Sequence, residues 1–245
     1  MSPEVSVVVP VHNEVDSLAQ LVGEIGAALD GRVDYELIYV DDGSDDGTAE
    51  QLRRLAAEFS RLRVVRHRER AGQSAAIATG VRAARATWIA TLDGDGQNDP
   101  ADILPMLARI RDSTEPAGLR LIIGQRQRRQ DSWVKRTAGR IANTVRSRIL
   151  GDATPDTGCG LKLFSRDAFL AVPHFDHMHR FLPALFLRNG WQVSSLPVNH
   201  RARRYGRSHY GVLDRLWVGI LDISGVLWLR HRTLRATIVE ESDAS

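Results

Sequence analysis

The chain has 245 residues, of which 43% are hydrophobic and 26% charged; this composition fits one globular domain and excludes a disordered or fibrous protein. Cys159 is the single cysteine, so an intrachain disulfide and a zinc site built on several thiolates are both excluded. The formal net charge is only +3, but basic residues are concentrated in 126–140 and 200–209, which indicates either anionic ligands such as phosphates or solvated basic faces.

Apolar runs rich in β-branched residues alternate with segments of helical period through the first half of the chain. The predicted elements, in chain order, are strand Val5–Val11, helix Val15–Leu29, strand Tyr35–Val40, helix Thr48–Glu58, strand Leu62–Arg66, helix Gln73–Ala84, strand Trp88–Leu92, helix Ala101–Arg111 and strand Leu119–Gly124. Repeated strand–helix units predict an α/β fold with a Rossmann-like, mostly parallel sheet that carries helices on both faces.

The alternation becomes less regular after residue 124. The elements predicted there are a basic loop, helix Lys135–Leu150, the turn-rich stretch Gly151–Gly160, helix Arg180–Asn189 and strand Gln192–Asn199. No linker of low complexity divides the chain, so we expect one domain over 1–235, with a nucleotide-binding half to about 125, an acceptor-side half over 126–211 and a polar tail at 236–245.

The segment 212–229 is the most apolar part of the second half. Asp222 interrupts its apolar run Leu216–Leu229, which is shorter than the ~20 residues that a spanning helix needs. Trp228 and the basic residues after it suit a helix in the membrane interface, and a helix that packs in the core fits as well. No signal peptide is predicted, so we expect a cytoplasmic protein that is at most peripheral on the inner face of the membrane.

Three predicted strands end in acidic or polar residues. These strand ends are PVHNE at Pro10–Glu14, DDGSDDGT at Asp41–Thr48 and DGDGQND at Asp93–Asp99. Because ligands of open α/β sheets bind at the carboxyl ends of the strands, the three segments are expected to converge on one crevice.

The DGDGQ segment gives the most specific signal. Asp93 and Asp95 lie two residues apart with a glycine between them, so both carboxylates can approach one cation, and Gln97 adds a neutral oxygen. Hard oxygen ligands suit Mg²⁺ or Mn²⁺, which in turn bind phosphates. A calcium loop fits less well because Leu104 stands where that loop needs glutamate, and an acidic turn without a ligand is the plain alternative.

The DDGSDDGT segment is less specific. Gly43 and Gly47 make turns in many proteins, and Thr48 is a suitable cap for the next helix. Asp42 is a candidate for a hydrogen bond to a base or ribose, while Asn13 and Glu14 are either capping groups or nucleotide contacts.

In this order and spacing the three motifs resemble family 2 glycosyltransferases, specifically the dolichyl-phosphate and polyprenyl-phosphate sugar synthases, which include dolichol-phosphate mannosyltransferase. The resemblance runs from Val5 to about Tyr210, and its further matches are Gly124–Arg126, Arg136, Arg140, Asp156–Phe164 and Arg203–Ser208. It implies a GT-A fold and inverting transfer of a sugar from a UDP- or GDP-sugar to a polyprenyl phosphate. His12 and His209 depart from the family pattern, which weakens the choice of acceptor more than the choice of reaction.

The resemblance also implies residue roles. The nucleotide-sugar would be bound by Pro10, Asn13, Glu14, Asp41, Asp42, Asp93 and Arg203, the metal by Asp93, Asp95 and Gln97, and the acceptor phosphate by Arg126, Arg136, Arg140 and Ser208. Asp95, Arg126 and Arg203 would be the catalytic residues, with Arg203 on the donor pyrophosphate.

The identity of the acceptor decides whether the enzyme needs a base. A phosphate monoester is already ionised near neutrality, its second pKa being about 6, whereas a sugar hydroxyl needs a general base. Asp156 is the candidate for that base, and its other possible role is to anchor the turn before Gly158. A non-catalytic nucleotide-sugar binding module is a further alternative, and the acidic strand ends argue against a nucleic-acid partner.

Overall fold

The computed structural model describes residues 2–113, 118–127, 147–152, 154, 156–202 and 212–232. Within 212–232 it describes side chains from residue 221 onward. Its strands are β1 Val5–Val11, β2 Tyr35–Asp41, β3 Leu62–Arg66, β4 Trp88–Thr91, β5 Leu119–Arg126, β6 Lys162–Ser165 and β7 Gln192–Val198. Its helices are α1 Leu18–Leu29, α2 Thr48–Glu58, α3 Gln73–Ala83, α4 Ile103–Arg111, α5 Arg166–Ala171, α6 Leu182–Arg188 and α7 Val212–His231, with 3₁₀ turns at Pro100–Asp102 and Met178–Arg180.

The seven strands form one sheet in the order β3-β2-β1-β4-β6-β5-β7. Neighbouring strands are parallel except at β6, which runs antiparallel to both β4 and β5. Both predicted halves of the chain therefore contribute strands to one sheet, and the mostly parallel arrangement agrees with the prediction.

Helices cover both faces of this sheet. One face packs against α1 and α4 through residues such as Ile25 and Met106, and the other packs against α3 and α6 through Ile77 and Leu185. All seven residues of β1 are buried, because a central parallel strand contacts helices on both sides.

The largest differences from the prediction are at α1, β6 and α5. Helix α1 begins at Leu18 rather than at residue 15, because the backbone N–H groups of Glu14 and Val15 donate to Thr48 and Asp46 in the loop after β2. Strand β6 and helix α5 were not predicted at all. Of the helix predicted over 135–150, only 147–150 lies in the described residues, and it is helical there.

Helix α7 has one packed face and one open face. Val226 is fully buried beside Leu150, Phe181 and other core residues, as the core-packing alternative requires. Leu221 and Trp228 lie 71% and 62% exposed, one heptad apart. In the part of the chain that the structure describes, no helix is long and apolar enough to cross a bilayer.

Candidate active site

The carboxyl ends of β2, β1 and β4 lie side by side in the sheet, so the three acidic or polar segments do meet at one edge. A cavity of about 680 Å³ opens next to them, a volume that is typical of small-molecule sites. Its lining includes Pro10 from β1, Gln73 from the start of α3, Asp93 from the segment after β4, Lys162 from β6 and His179 from a 3₁₀ turn.

Asp93 lies against the backbone of Gly160. A Cβ atom at Gly160 would be 2.1 Å from Asp93 Oδ2, so only glycine lets the carboxylate lie there. Gln73 Nε2 donates to Asp93 Oδ1 at 2.9 Å. Burial, and then the like charge of Asp95, raise the pKa of Asp93 above its ordinary value. Two such carboxylates in a partly dry site are stabilised by a cation.

Asp95 and Gln97 complete the predicted metal segment. Asp95 is only 7% exposed, and its Oδ1 accepts from Gln97 N at 3.1 Å. The side-chain amide of Gln97 donates through Nε2 to Arg201 O at 3.3 Å, which leaves its oxygen as the atom to offer a metal.

The donor set fits Mg²⁺ or Mn²⁺ shared with a diphosphate. Among the described residues no group of three or more histidine, cysteine or acidic side chains forms a cation cage. Mg²⁺ is commonly held by one or two carboxylates together with substrate phosphates rather than by a complete protein cage. Asp93 and Asp95 are a pair of this kind, since burial and then the charge of Asp95 raise the pKa of Asp93.

The loops after β1 and β2 are joined by hydrogen bonds. Asn13 adopts a left-handed conformation with φ +57°, and its side chain exchanges hydrogen bonds with Asp45 at 2.8 and 3.0 Å. The backbone N–H of Asn13 donates to Ser44 Oγ, and that of Glu14 to Thr48 Oγ1. Asn13 thus links the two loops, a role that the sequence did not suggest.

Asp41 and Asp42 are both engaged with protein groups. Asp41 is fully buried, accepts from Ser44 N at 3.0 Å, and lies 3.1 Å from Arg66 Nε. Asp42 accepts from the N–H groups of Ala71 and Gly72 at 2.8 Å each.

His67 is the third partner of Asp42, with Nδ1 2.7 Å from the carboxylate. Burial alone would raise the pKa of Asp42, but the backbone donors and His67 together lower it. Asp42 therefore fixes the loop that leads into α3, and residues of that loop line the cavity.

Arg126 and Asp156 form a bidentate ion pair. Nε and Nη2 of the guanidinium donate to the two carboxylate oxygens at 2.7 Å each, and the side chains are only 14% and 10% exposed. Burial would lower the pKa of Arg126, but the bonds to Asp156 raise it. Because both oxygens of Asp156 accept from Arg126, this carboxylate is poorly placed to act as a base.

Lys162 is a buried cation that sequence reasoning noticed only as a letter of the Asp156–Phe164 motif. It is 4% exposed and lies opposite Thr91 in the antiparallel pair of β6 and β4. Its ammonium donates to the carbonyl of Cys159, and burial lowers its pKa. The signal in the sequence was a lysine within an apolar run.

His179 lies on the same side of the cavity. Its Nδ1 is 2.7 Å from Ser74 Oγ, which fixes the ring. Burial, and then the charge of Lys162, hold the pKa of His179 well below its ordinary value, so the ring is neutral near pH 7.

Four predicted site residues lie outside the described residues: Arg136, Arg140, Arg203 and Ser208. Their predicted roles stay predictions.

The chain is similar to proteins of known family and structure. Residues 6–172 match the family described as Glycosyl transferase family 2. The chain is 37% identical over 242 residues to dodecaprenyl-phosphate galacturonate synthase of Rhizobium johnstonii, covering 96% of this chain and 69% of that protein. It is also 37% identical over 211 residues to undecaprenyl-phosphate 4-deoxy-4-formamido-L-arabinose transferase of Edwardsiella ictaluri, covering 85% of this chain and 63% of that protein. The chain thus spans about two thirds of the length of these relatives.

Solved structures show the same fold. Glucosyl-3-phosphoglycerate synthase from Mycobacterium tuberculosis, in complex with Mn²⁺, UDP and glucosyl-3-phosphoglycerate, superposes with a TM-score of 0.66 at 19% identity, covering 93% of this chain and 80% of that one. Its complex with Mg²⁺ and UDP gives 0.65 at 18% identity, covering 93% of this chain and 79% of that one. These similarities confirm the predicted GT-A-like α/β fold.

Proposed function

Because this chain belongs to glycosyl transferase family 2, we propose that it transfers a sugar, with inversion, from a nucleotide-diphosphate sugar to a polyprenyl phosphate. The two curated relatives are named for dodecaprenyl and undecaprenyl phosphate, and their sugars differ. The product would be a lipid-linked sugar for modification of cell-envelope glycans or lipids.

One observation carries the proposal: Asp93, which lies after β4 and two residues before Asp95, lines a cavity with a buried cation in its wall. Such a site suits two phosphorylated substrates. The carboxylates share a divalent metal with the diphosphate of one, and the positive charge binds the phosphate of the other. A saccharide acceptor would not need that second positive charge.

Asp93, Asp95 and Gln97 would hold Mg²⁺ or Mn²⁺. When bound, the metal neutralises charge on the departing nucleotide diphosphate. Gly160 keeps the Asp93 carboxylate at the cavity wall. The predicted nucleotide contacts are Pro10, Asn13, Glu14, Asp41 and Asp42, with Arg203 on the pyrophosphate.

The acceptor phosphate would be bound by Arg126, together with Arg136, Arg140 and Ser208. Two of the five N–H groups of Arg126 donate to Asp156, and no acceptor for the other three lies among the described residues, so they suit phosphate oxygens. An oxygen of the ionised acceptor forms a bond to the anomeric carbon as the bond from that carbon to the diphosphate breaks. No proton has to be removed, which agrees with an Asp156 that is fully engaged by Arg126.

A hydroxyl acceptor with Asp156 as base is the alternative, and the bidentate pair weighs against it. We also propose that the protein works at the cytoplasmic face of the membrane. The exposed Leu221 and Trp228 on α7 are suited to contact lipid headgroups.

The test is a transfer assay with purified protein, Mn²⁺, a panel of UDP- and GDP-sugars, and undecaprenyl phosphate in detergent. We expect a lipid-linked sugar, identified by mass spectrometry, from one donor or a few. Undecaprenol, which has a hydroxyl in place of the phosphate, is the matched control acceptor. Transfer to undecaprenol or to a saccharide, with none to the lipid phosphate, would overturn the proposal.

A further inference from the structure

We propose that Lys162 is a further catalytic residue, whose ammonium binds the acceptor phosphate as it attacks the sugar. The inference rests on the proposed function and adds to it a residue that the sequence had not assigned. Three observations support it: the position of Lys162, its lack of an anionic partner, and the charges that the site must balance.

Lys162 lines the same cavity as Asp93 and as Gly158, where a Cβ atom would lie 3.3 Å from Arg126 Nη2 and 3.8 Å from Asp156 Oδ1. It interacts electrostatically with Asp93, which belongs to the metal segment, and with Asp156 and Arg126, which form the acceptor-side pair. In a single displacement the anomeric carbon lies between the leaving diphosphate and the attacking phosphate. A cation in the wall of the cavity that Asp93 and Gly158 also line is therefore placed to meet the attacking phosphate.

Among the described residues, the ammonium of Lys162 donates to a single acceptor. It carries three N–H groups, and its hydrogen bond is to a neutral acceptor, the carbonyl of Cys159. Within the described part of the chain, no carboxylate lies within ion-pair distance of this ammonium. A buried charge without an anion is costly, and an incoming phosphate removes that cost.

The charges around the site indicate that Lys162 binds the acceptor phosphate rather than the donor diphosphate. A divalent metal offsets the charges of Asp93 and Asp95 and also binds the donor diphosphate. Arg126 is already paired with Asp156, so it adds little net positive charge. The other cations that line the cavity, Arg70 and Arg180, are exposed.

In the transfer step, Lys162 is a hydrogen-bond donor that gains and loses no proton. A bond forms between an acceptor phosphate oxygen and the anomeric carbon, and the bond from that carbon to the diphosphate breaks. The nucleotide diphosphate leaves with the electron pair, and Lys162 keeps its protons. Its contribution is to hold the attacking phosphate and offset its charge until the new bond has formed.

The test compares Lys162→Met with Lys162→Arg in initial-rate assays with undecaprenyl phosphate, and measures nucleotide diphosphate binding in Mn²⁺ by calorimetry. We expect Lys162→Met to lower kcat/KM for the acceptor by about 10- to 100-fold, as for the loss of a hydrogen bond to a charged group. Nucleotide affinity should change less than about twofold, and Lys162→Arg should recover part of the lost activity.

Arg166→Met is the matched control, because Arg166 also donates to a backbone carbonyl, that of Val81 at 3.1 Å, but does not line the cavity. It should leave the KM for the acceptor unchanged. If Lys162→Met weakens nucleotide binding as much as acceptor use, or leaves acceptor use unchanged, the inference is overturned and the proposed function stands. A wild-type protein that binds nucleotide but never uses a polyprenyl phosphate overturns both.

Discussion

Gly160→Ala tests whether the position of the Asp93 carboxylate governs metal binding. The added Cβ would lie 2.1 Å from Asp93 Oδ2 and 2.3 Å from Asp93 Cγ, whereas ordinary contact begins at 3.4 Å. The carboxylate must therefore move by about 1.3 Å, the difference between 3.4 and 2.1 Å. Gly160 does not lie in the left-handed region, so alanine is acceptable to the backbone there.

A shift of this size is incompatible with the fixed, short bonds that Mg²⁺ requires. Misplacement of a reacting group by about 1 Å can cost about 100-fold in rate, so we expect a loss of at least that size in kcat/KM. The assay is transfer rate against Mn²⁺ concentration, with urea unfolding as the check on stability, which overpacking lowers by about 1–3 kcal/mol.

Gly23→Ala is the control, because a Cβ on this residue of α1 meets nothing within 4 Å. It should leave metal dependence unchanged and stabilise the helix by about 1 kcal/mol. If Gly160→Ala retains wild-type Mn²⁺ affinity and rate, the reasoning about Asp93 is wrong.

Three further changes test other parts of the molecule. Asp95→Ala should abolish Mn²⁺-dependent transfer and leave circular dichroism unchanged; equal activity of the wild type in EDTA and in Mn²⁺ would contradict the metal assignment. Asp156→Asn should lower the free energy of unfolding by about 3 kcal/mol in urea, because it leaves the buried Arg126 guanidinium without an anion, and Arg126→Met in the same chain should restore part of that loss. Trp228→Ser should weaken binding to anionic vesicles about tenfold or more with little change in Tm, since this side chain is 62% exposed; unchanged sedimentation with vesicles would remove α7 from the membrane proposal.

Asp42 makes stability depend on pH. Its folded-state pKa is lowered below the ordinary 3.8, so the stabilisation is fully present above pH 3.8 and is lost as the pH falls through the lower folded value. We expect Asp42→Asn to flatten the acid limb of the curve of unfolding free energy against pH. An unchanged acid limb would show that this carboxylate does not anchor the loop before α3.

The central parallel strands were predictable because β1 and β2 are buried along their whole length and β4 along most of it. The predicted boundaries of β1 and β3 match the observed ones, and those of β2 and β4 differ by one residue. Continuous apolar runs of this kind have a simple physical cause, since helices cover both sides of the sheet.

Strand β6 had no comparable signal. It has four residues, its first residue is the charged Lys162, and it is too short to show a period. Its antiparallel direction depends on pairing with β4 and β5, which are distant in sequence. Without that pairing, Gly160 would not lie against Asp93.

The site residues also differ in how far the sequence alone predicts their positions and partners. Asp93 and Asp95 were predicted because a strand end fixes where their backbone lies. The partnership of Arg126 with Asp156 spans thirty residues and follows only from the folded arrangement of the strands. The bonds of Asp42 to Ala71 and Gly72, in the loop before α3, likewise follow only from the folded arrangement, and its predicted contact with the nucleotide stays a prediction.

Because Cys159 is buried, its reaction with alkylating reagents can report how often the segment around it opens. The thiol lies at 0% exposure in the segment that carries Gly160, and burial raises its pKa, so alkylating reagents should meet an unreactive group while that segment stays closed. Because no other cysteine competes, the rate of alkylation measures how often the segment opens. Slower alkylation with nucleotide and Mn²⁺ would show directly that substrates hold the wall behind Asp93 in place.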